Sequence, residues 1–362
     1  MKKQTKTIIW LAVGVGLLGF FVYKIPPDDF KTAIRRIEWL PAILALFIYF
    51  VAQTLLGIRW VILLRVHSVY ISHFKAIKLT YLGLFYNNFM PGSVGGDLLK
   101  GWAVTKHSKK EQRLEAAVTV FVDRLVGLIG MILVGALASL FVGSELSIPV
   151  GSRDIQVRVL IWLLLAGLIF VSVIFLSKNV RRCLMLSRIL EKLPFAKTLH
   201  KIDQAIRIYR GHPRVMVLAL VLTAVIQGLA IVAIWTMSQA LQLENVRFIQ
   251  CLIIMPIVWL ISAAIPVPGG LGVMEVLFIP FFARAIDSSV VTGTDRWNEV
   301  VALAAALALL NRLMICACSL PGALVPIFGG HLPQGEELEQ IMEKDDLVDK
   351  KTDQEITKKE LD

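Results

Sequence analysis

The chain has 362 residues, 56% of them hydrophobic and 18% charged, with a mean hydropathy of +0.70. Counted with Gly and without Tyr, about 61% are apolar, against about 45–50% in soluble domains, which excludes an ordinary cytosolic enzyme, a disordered protein and a secreted disulfide scaffold and leaves a polytopic helical membrane protein. The net charge of +11 is uneven: residues 331–362 carry eleven acids and five lysines, so the basic excess lies wholly in residues 1–330, where it reads as topology and lipid-headgroup attraction rather than a nucleic-acid partner.

A spanning helix needs about 20 mostly apolar residues. Thr7–Tyr23 follows Lys2, Lys3 and Lys6 like a signal peptide, but it ends in Lys24-Ile25-Pro26-Pro27 without a small-residue cleavage site and reads as an uncleaved anchor. Trp39–Leu64, Ala116–Val142, Val157–Ser177, Val215–Met237 and Glu299–Phe328 are five further expected spans. Two other apolar runs are broken. Ala76–Met90 enters Pro91-Gly92-Ser93-Val94-Gly95-Gly96-Asp97, and Ile249–Ala264 enters Pro266-Val267-Pro268-Gly269-Gly270-Leu271-Gly272 before turning apolar again. Such clusters break helices, and broken backbone at membrane depth is tolerated only against protein or a wet cavity. Both segments are therefore expected to be re-entrant hairpins or discontinuous helices, giving an all-α fold of about six spans plus two re-entrant or broken helical hairpins.

Lys and Arg in short loops set the orientation. Residues 98–114 hold five basic residues and 177–214 hold ten, whereas 143–156 and 238–248 hold one each, Arg153 and Arg247. This places the basic loops and both termini in the cytoplasm. The 24–38 loop, with Lys24, Lys31, Arg35 and Arg36, runs against the rule. Between 178 and 212, Val180, Leu184, Leu190, Leu193, Ile202, Ala205, Ile206 and Tyr209 recur at helical spacing among cations, as in interfacial helices or in a solvated basic loop. The acidic tail 331–362 lacks apolar periodicity and is expected to be disordered, leaving 1–330 as the membrane domain.

The two broken segments match. Each has an apolar run, a Pro-Gly, two further glycines and an acid six or seven residues after a proline, Asp97 in the first and Glu275 in the second. On the expected topology they enter from opposite sides, the pattern that points to a midplane transport site in inverted repeats. Ionisable residues in spans are costly and usually functional. Arg312, beside Asn311, lies thirteen residues into the last span, about 20 Å along a helix. Asp123 and Arg124 sit about two turns into the third span and point about 100° apart, so each needs a partner elsewhere: Asp97, Glu275 or a ligand phosphate. Structural ion pairs locking helices together are the competing reading. Lys100 is either a first contact for a headgroup or a solvated loop lysine, and Arg59 and Arg65 read as snorkelling ends of the second span.

No G-x-S-x-G, H-E-x-x-H or P-loop occurs. Cys183, Cys251, Cys316 and Cys318 and six scattered histidines show no ligand spacing, so neither a metal nor a cofactor is expected.

Asn87-Asn88-Phe89-x-Pro91-Gly92-x-x-Gly95-Gly96-Asp97-x-x-Lys100, then Asp123-Arg124-x-x-Gly127, then Pro268-Gly269-Gly270-x-Gly272-x-x-Glu275 resemble, in order and spacing, the flippase-like transmembrane region of lysylphosphatidylglycerol synthase. The resemblance covers essentially residues 1–330. It implies a chain without the soluble aminoacyltransferase domain, moving a membrane lipid between leaflets of the inner membrane. The lipid would be an anionic or aminoacylated phospholipid, or a polyprenyl-phosphate lipid. Together with the charges inside the spans, the expected headgroup site is Asn87, Asn88, Asp97, Lys100, Asp123, Arg124, Glu275, Asn311 and Arg312, with no catalytic residue, and homo-oligomerisation is left open. The alternatives are a membrane-embedded transferase or hydrolase using Asp97 or Glu275, and a non-catalytic partner of a lipid-modifying synthase.

Overall fold

The computed structural model describes residues 37–89, 95–106, 112–141, 147–150, 153–156, 207–264, 272–287 and 295–329, with isolated positions between them. The elements are α1 (Trp39–Val66), α2 (His73–Phe89), α3 (Gly95–Thr105), α4 (Arg113–Ala138), β1 (Ser147–Val150), β2 (Arg153–Gln156), α5 (Pro213–Ala240), α6 (Phe248–Ala264), α7 (Val273–Ile286), α8 (Asp295–Ser319) and α9 (Pro321–Gly329). A single antiparallel hairpin pairs Ser147 with Gln156 and Val150 with Arg153; the other described elements are helical. The chain forms two compact units, 1–322 and 323–362, and of the second the described part is the end of α9.

Four segments are long and apolar enough to cross a membrane: Trp39–Val66, Arg113–Ala138, Pro213–Ala240 and Arg296–Val325. They match the expected spans to within a few residues. The last is interrupted by a turn at Leu320, because Pro321 has no N–H to continue the ladder. The expected spans 7–23 and 157–177, most of 178–212, and the tail lie outside the described residues or are represented by isolated positions.

α1 and α5 lie antiparallel. At one end the Glu38 N–H donates to the Ala240 carbonyl at 2.8 Å, and at the other the Tyr209 hydroxyl donates to the Leu63 carbonyl at 3.2 Å. α4 runs beside them, its first turns meeting the end of α1: Val118, Val122 and Val126 pack with Leu63, Tyr209 and Ala219. Lys106, Arg113, Arg207, Arg210 and Arg214 thus gather at one end of the bundle, hereafter the basic end. Ala205 and Tyr209, the two described members of the 178–212 pattern, turn inward and are buried against the bundle rather than lying on lipid. The outer faces of α1 (Trp39, Leu40, Ile43, Phe47) and α5 (Val217, Leu218, Val221) are exposed and apolar, as expected of surfaces that meet lipid tails.

The two broken segments form helical hairpins whose arms are too short to cross the bilayer. α2 and α3 have 17 and 11 residues, α6 and α7 have 17 and 14, so the arms run from about 16 to 25 Å against a hydrocarbon core of about 30 Å. The first hairpin starts at the basic end, where His73 meets Arg65 at 3.4 Å, and returns there at Thr105. The second starts and ends at the opposite end. There the Asn245 amide of the α5–α6 loop donates to the Ile286 carbonyl at 3.1 Å, and Arg296 pairs with Asp287 at 2.8 Å. The hairpins therefore enter from opposite ends, in the expected inverted arrangement.

At the basic end, just beyond α1, the His67 ring meets Tyr209 edge-on at 5.1 Å. Burial holds its imidazole below the usual 6.5; Glu115 opposes this and His212 reinforces it. The unfolded chain takes up this proton more readily than the folded one. The stability His67 confers is therefore complete above pH ~6.5 and is lost as pH falls through that value toward the lowered folded one. Melting curves in detergent from pH 7.5 to 5.5 should show a smaller acid-induced loss for His67→Phe than for the wild type.

Candidate functional site

Each hairpin carries its acid to an arginine on the long helix that follows it. In the first, Asp97, in the first turn of α3, pairs with Arg124 of α4 at 2.6 Å. In the second, Glu275, in the first turn of α7, accepts from Arg312 Nε of α8 at 2.6 Å and from the Gly272 N–H at 2.7 Å, so one carboxylate both caps its helix and neutralises a buried guanidinium. Gly272 enters that helix with φ 80°, a conformation that favours glycine. In the first hairpin the corresponding cap comes from α2: the Asn87 side-chain oxygen accepts the Gly96 N–H at 3.0 Å. Asn88 is half-buried on the same helix. The corner residues Pro91, Gly92, Pro266, Pro268, Gly269 and Gly270 lie outside the described residues.

Around the first hairpin the charges form a larger cluster. Asp123 accepts from Arg59 Nε at 2.9 Å and lies 3.6 Å from Lys100 Nζ. Arg59 also donates to Thr223 Oγ1 of α5 at 2.9 Å and to the Asp123 carbonyl at 3.0 Å. Lys100 stacks over the Trp60 ring at 4.0 Å, and the Trp60 indole donates to Thr119 at 3.1 Å. Asp123 and Arg124 therefore do find partners elsewhere, on different elements, as their angular separation requires.

Two expectations change. Arg59 does not snorkel; it is 3% exposed and ties α1 to α4 and α5. Arg65, one and a half turns further on, is exposed as expected. Lys100 is not a solvated loop lysine, for it is 5% exposed and lies inside α3. Thr223, Trp60 and Thr119 belong to the same network, and no short motif marks them.

The two clusters occupy opposite halves of the bundle. The first sits at the level of Arg59, seven residues from the basic end of α1. Arg312 lies six residues before Cys318, whose thiol donates to the Leu46 carbonyl near the other end of α1. Leu46 and Arg59 are thirteen residues apart, on the order of 20 Å along the helix. The charge differs too. Among these described residues the first cluster has three cations (Arg59, Lys100, Arg124) and two carboxylates (Asp97, Asp123), whereas Arg312 and Glu275 balance. Arg124 is also the open member: its side chain is 58% exposed, against 9% for Arg312.

Comparison with known proteins agrees with this architecture. Residues 7–294 match the family model described as the lysylphosphatidylglycerol synthase TM region. A UPF0104 membrane protein of Pyrococcus horikoshii is 23% identical over 345 residues, covering 87% of this chain and 100% of that protein. A UPF0104 membrane protein of Methanothermobacter thermautotrophicus is 23% identical over 354 residues, covering 91% of this chain and 97% of that protein. The chain is a multi-pass integral membrane protein and belongs to the lysylphosphatidylglycerol synthase transmembrane-region family.

Proposed function

We propose that the protein is a flippase-like transporter of the cell (inner) membrane that moves a phospholipid or polyprenyl-phosphate-linked lipid between leaflets, with its basic end and both termini in the cytoplasm. The observation that carries this reading is the mirrored pair of hairpins, each bringing an acid to an arginine in opposite halves of the bundle. Paired broken helices entering from opposite ends are the pattern of transporters whose inverted repeats rock around a site between them. The single excess positive charge of the first cluster favours a monoanionic phosphodiester, and Arg124, open to the outside of the bundle, is the group a headgroup meets first. Phosphate takes the place of Asp97 on Arg124, and the released α3 is then free to shift against α4. Asp97 and Glu275 are each engaged by an arginine, which suits counter-ions exchanged by a ligand better than carboxylates poised for acid–base chemistry.

The test is leaflet exchange of acyl-labelled phospholipid in proteoliposomes, read by dithionite quenching, with mass spectrometry of the same lipid. Wild type is expected to move lipid that stays chemically unchanged, and the Arg124→Ala, Arg312→Ala double variant to lose that activity. Equal rates for the two proteins overturn the site assignment. Conversion of the lipid replaces transport with the transferase or hydrolase reading.

A further inference from the structure

Between the two clusters the bundle holds buried polar atoms that its own packing does not satisfy. Gln53 Oε1 on α1, Thr80 Oγ1 on α2 and Asn311 Oδ1 on α8 find no hydrogen-bond partner among the described residues, although these residues are only 8%, 5% and 2% exposed. An orphaned buried polar group is costly, and three of them in one region of a bundle require a reason.

Their placement supplies one. Gln53 lies midway along α1 between Leu46, which contacts α8, and Arg59, which anchors the first cluster. At that level α2 packs on α1: the Tyr81 hydroxyl meets Thr54 Oγ1 at 2.9 Å and the Phe50 carbonyl at 3.1 Å, and Thr80 precedes Tyr81. Tyr49, one turn before Gln53 on α1, lies near Arg312, and Asn311 adjoins Arg312. The three orphans thus step across the interval that separates the two charged half-sites, on three helices that converge there.

All three orphaned atoms are oxygens. The two amide oxygens lack donors, so a bare phosphate would not satisfy them, whereas a hydroxyl or ammonium group beside the phosphate would; the Thr80 hydroxyl, donor and acceptor in one, pairs with such a group through the same oxygen. We propose that Gln53, Thr80 and Asn311 form a middle station on the headgroup's path that accepts hydrogen bonds from its neutral or cationic donors, and so selects among lipids of equal charge. This rests on the transport reading above.

The matched probes are labelled phosphatidylglycerol and phosphatidylmethanol, both monoanionic phosphodiesters, of which the first alone carries headgroup hydroxyls. Two hydrogen bonds of ordinary net strength correspond to about a tenfold preference, so wild type should move phosphatidylglycerol about tenfold faster. The Gln53→Leu, Thr80→Val, Asn311→Leu variant should move both lipids at similar rates. Exchanging unpaired buried oxygens for apolar groups should also leave its melting temperature in detergent no lower than wild type's. The milder Thr80→Val should fold in any case and reduce the preference about threefold. If wild type moves neither lipid, the phospholipid-transport reading fails and this one with it. If wild type moves both without preference, or if the variants keep the wild-type preference, the middle station is refuted while transport stands. A lowered melting temperature for the triple variant shows that the three side chains have structural partners and also refutes it.

Discussion

Asp123→Ala is expected to cost about 3–5 kcal/mol of stability, because it strands charges that are inaccessible to water. Its carboxylate accepts from Arg59, whose side chain is 4% exposed, and faces Lys100, whose side chain is 6% exposed. Neither cation can reach solvent by rotating. Arg59 is held by Thr223 and by the Asp123 carbonyl, and Lys100 is pinned on Trp60. Removing the acid therefore loosens α1, α3, α4 and α5 together. Replacing the whole set by apolar side chains of similar volume (Arg59→Met, Lys100→Met, Asp123→Leu) should recover most of the loss, since well-packed hydrophobes often match a buried ion network. Unfolding of single and combined variants in a detergent titration checks both statements. A loss under about 1 kcal/mol for Asp123→Ala would mean that the network confers no stability.

The same cluster marks the limit of what the sequence discloses. Spans, hairpins, the acids closing them and the isolation of Arg312 all follow from runs of apolar residues and their interruptions, which are local properties. The Glu275–Arg312 pair was within reach, because each was the odd charge in its own apolar segment. Arg59 was not. It lies within two turns of a span end and beside Trp60, the setting in which a long cation normally reaches the interface. What buries it is the rotation of α1 that turns Arg59 toward α4 and α5, and that depends on helices 64 and 164 residues further along the chain. The burial of Lys100 escapes the sequence for a related reason. α3 is only 11 residues long and follows a Pro-Gly corner, so its lysine reads as loop until the Trp60 ring is placed beneath it. The asymmetry between an open Arg124 and a closed Arg312 is likewise a product of packing, as both lie in apolar helices.

Gly96→Ala and Gly101→Ala change the same helix by one methyl each and should have opposite effects. At Gly96 a Cβ would overlap the Gly83 carbonyl oxygen and crowd the Asn87 side chain at 2.7 Å. The first obstacle is backbone, which cannot rotate away. α2 and α3 would have to separate, breaking the Asn87 cap and drawing Asp97 and Lys100 away from Arg124 and Asp123. Overpacking of this kind costs about 1–3 kcal/mol or more, and here it acts on the hairpin that delivers two charges to the first cluster. At Gly101 the added carbon meets only Val120 Cγ2 at 3.9 Å, an ordinary contact. There the substitution should be neutral or stabilise by roughly 0.5–1 kcal/mol, because alanine restricts the unfolded chain and favours helix. Melting temperatures of the two variants in one detergent decide the matter. If both are destabilised alike, close approach of α2 and α3 is not what seats the hairpin. If Gly96→Ala alone loses stability and leaflet exchange together, the backbone contact between Gly83 and Gly96 is what holds Asp97 and Lys100 at the depth where the first cluster forms.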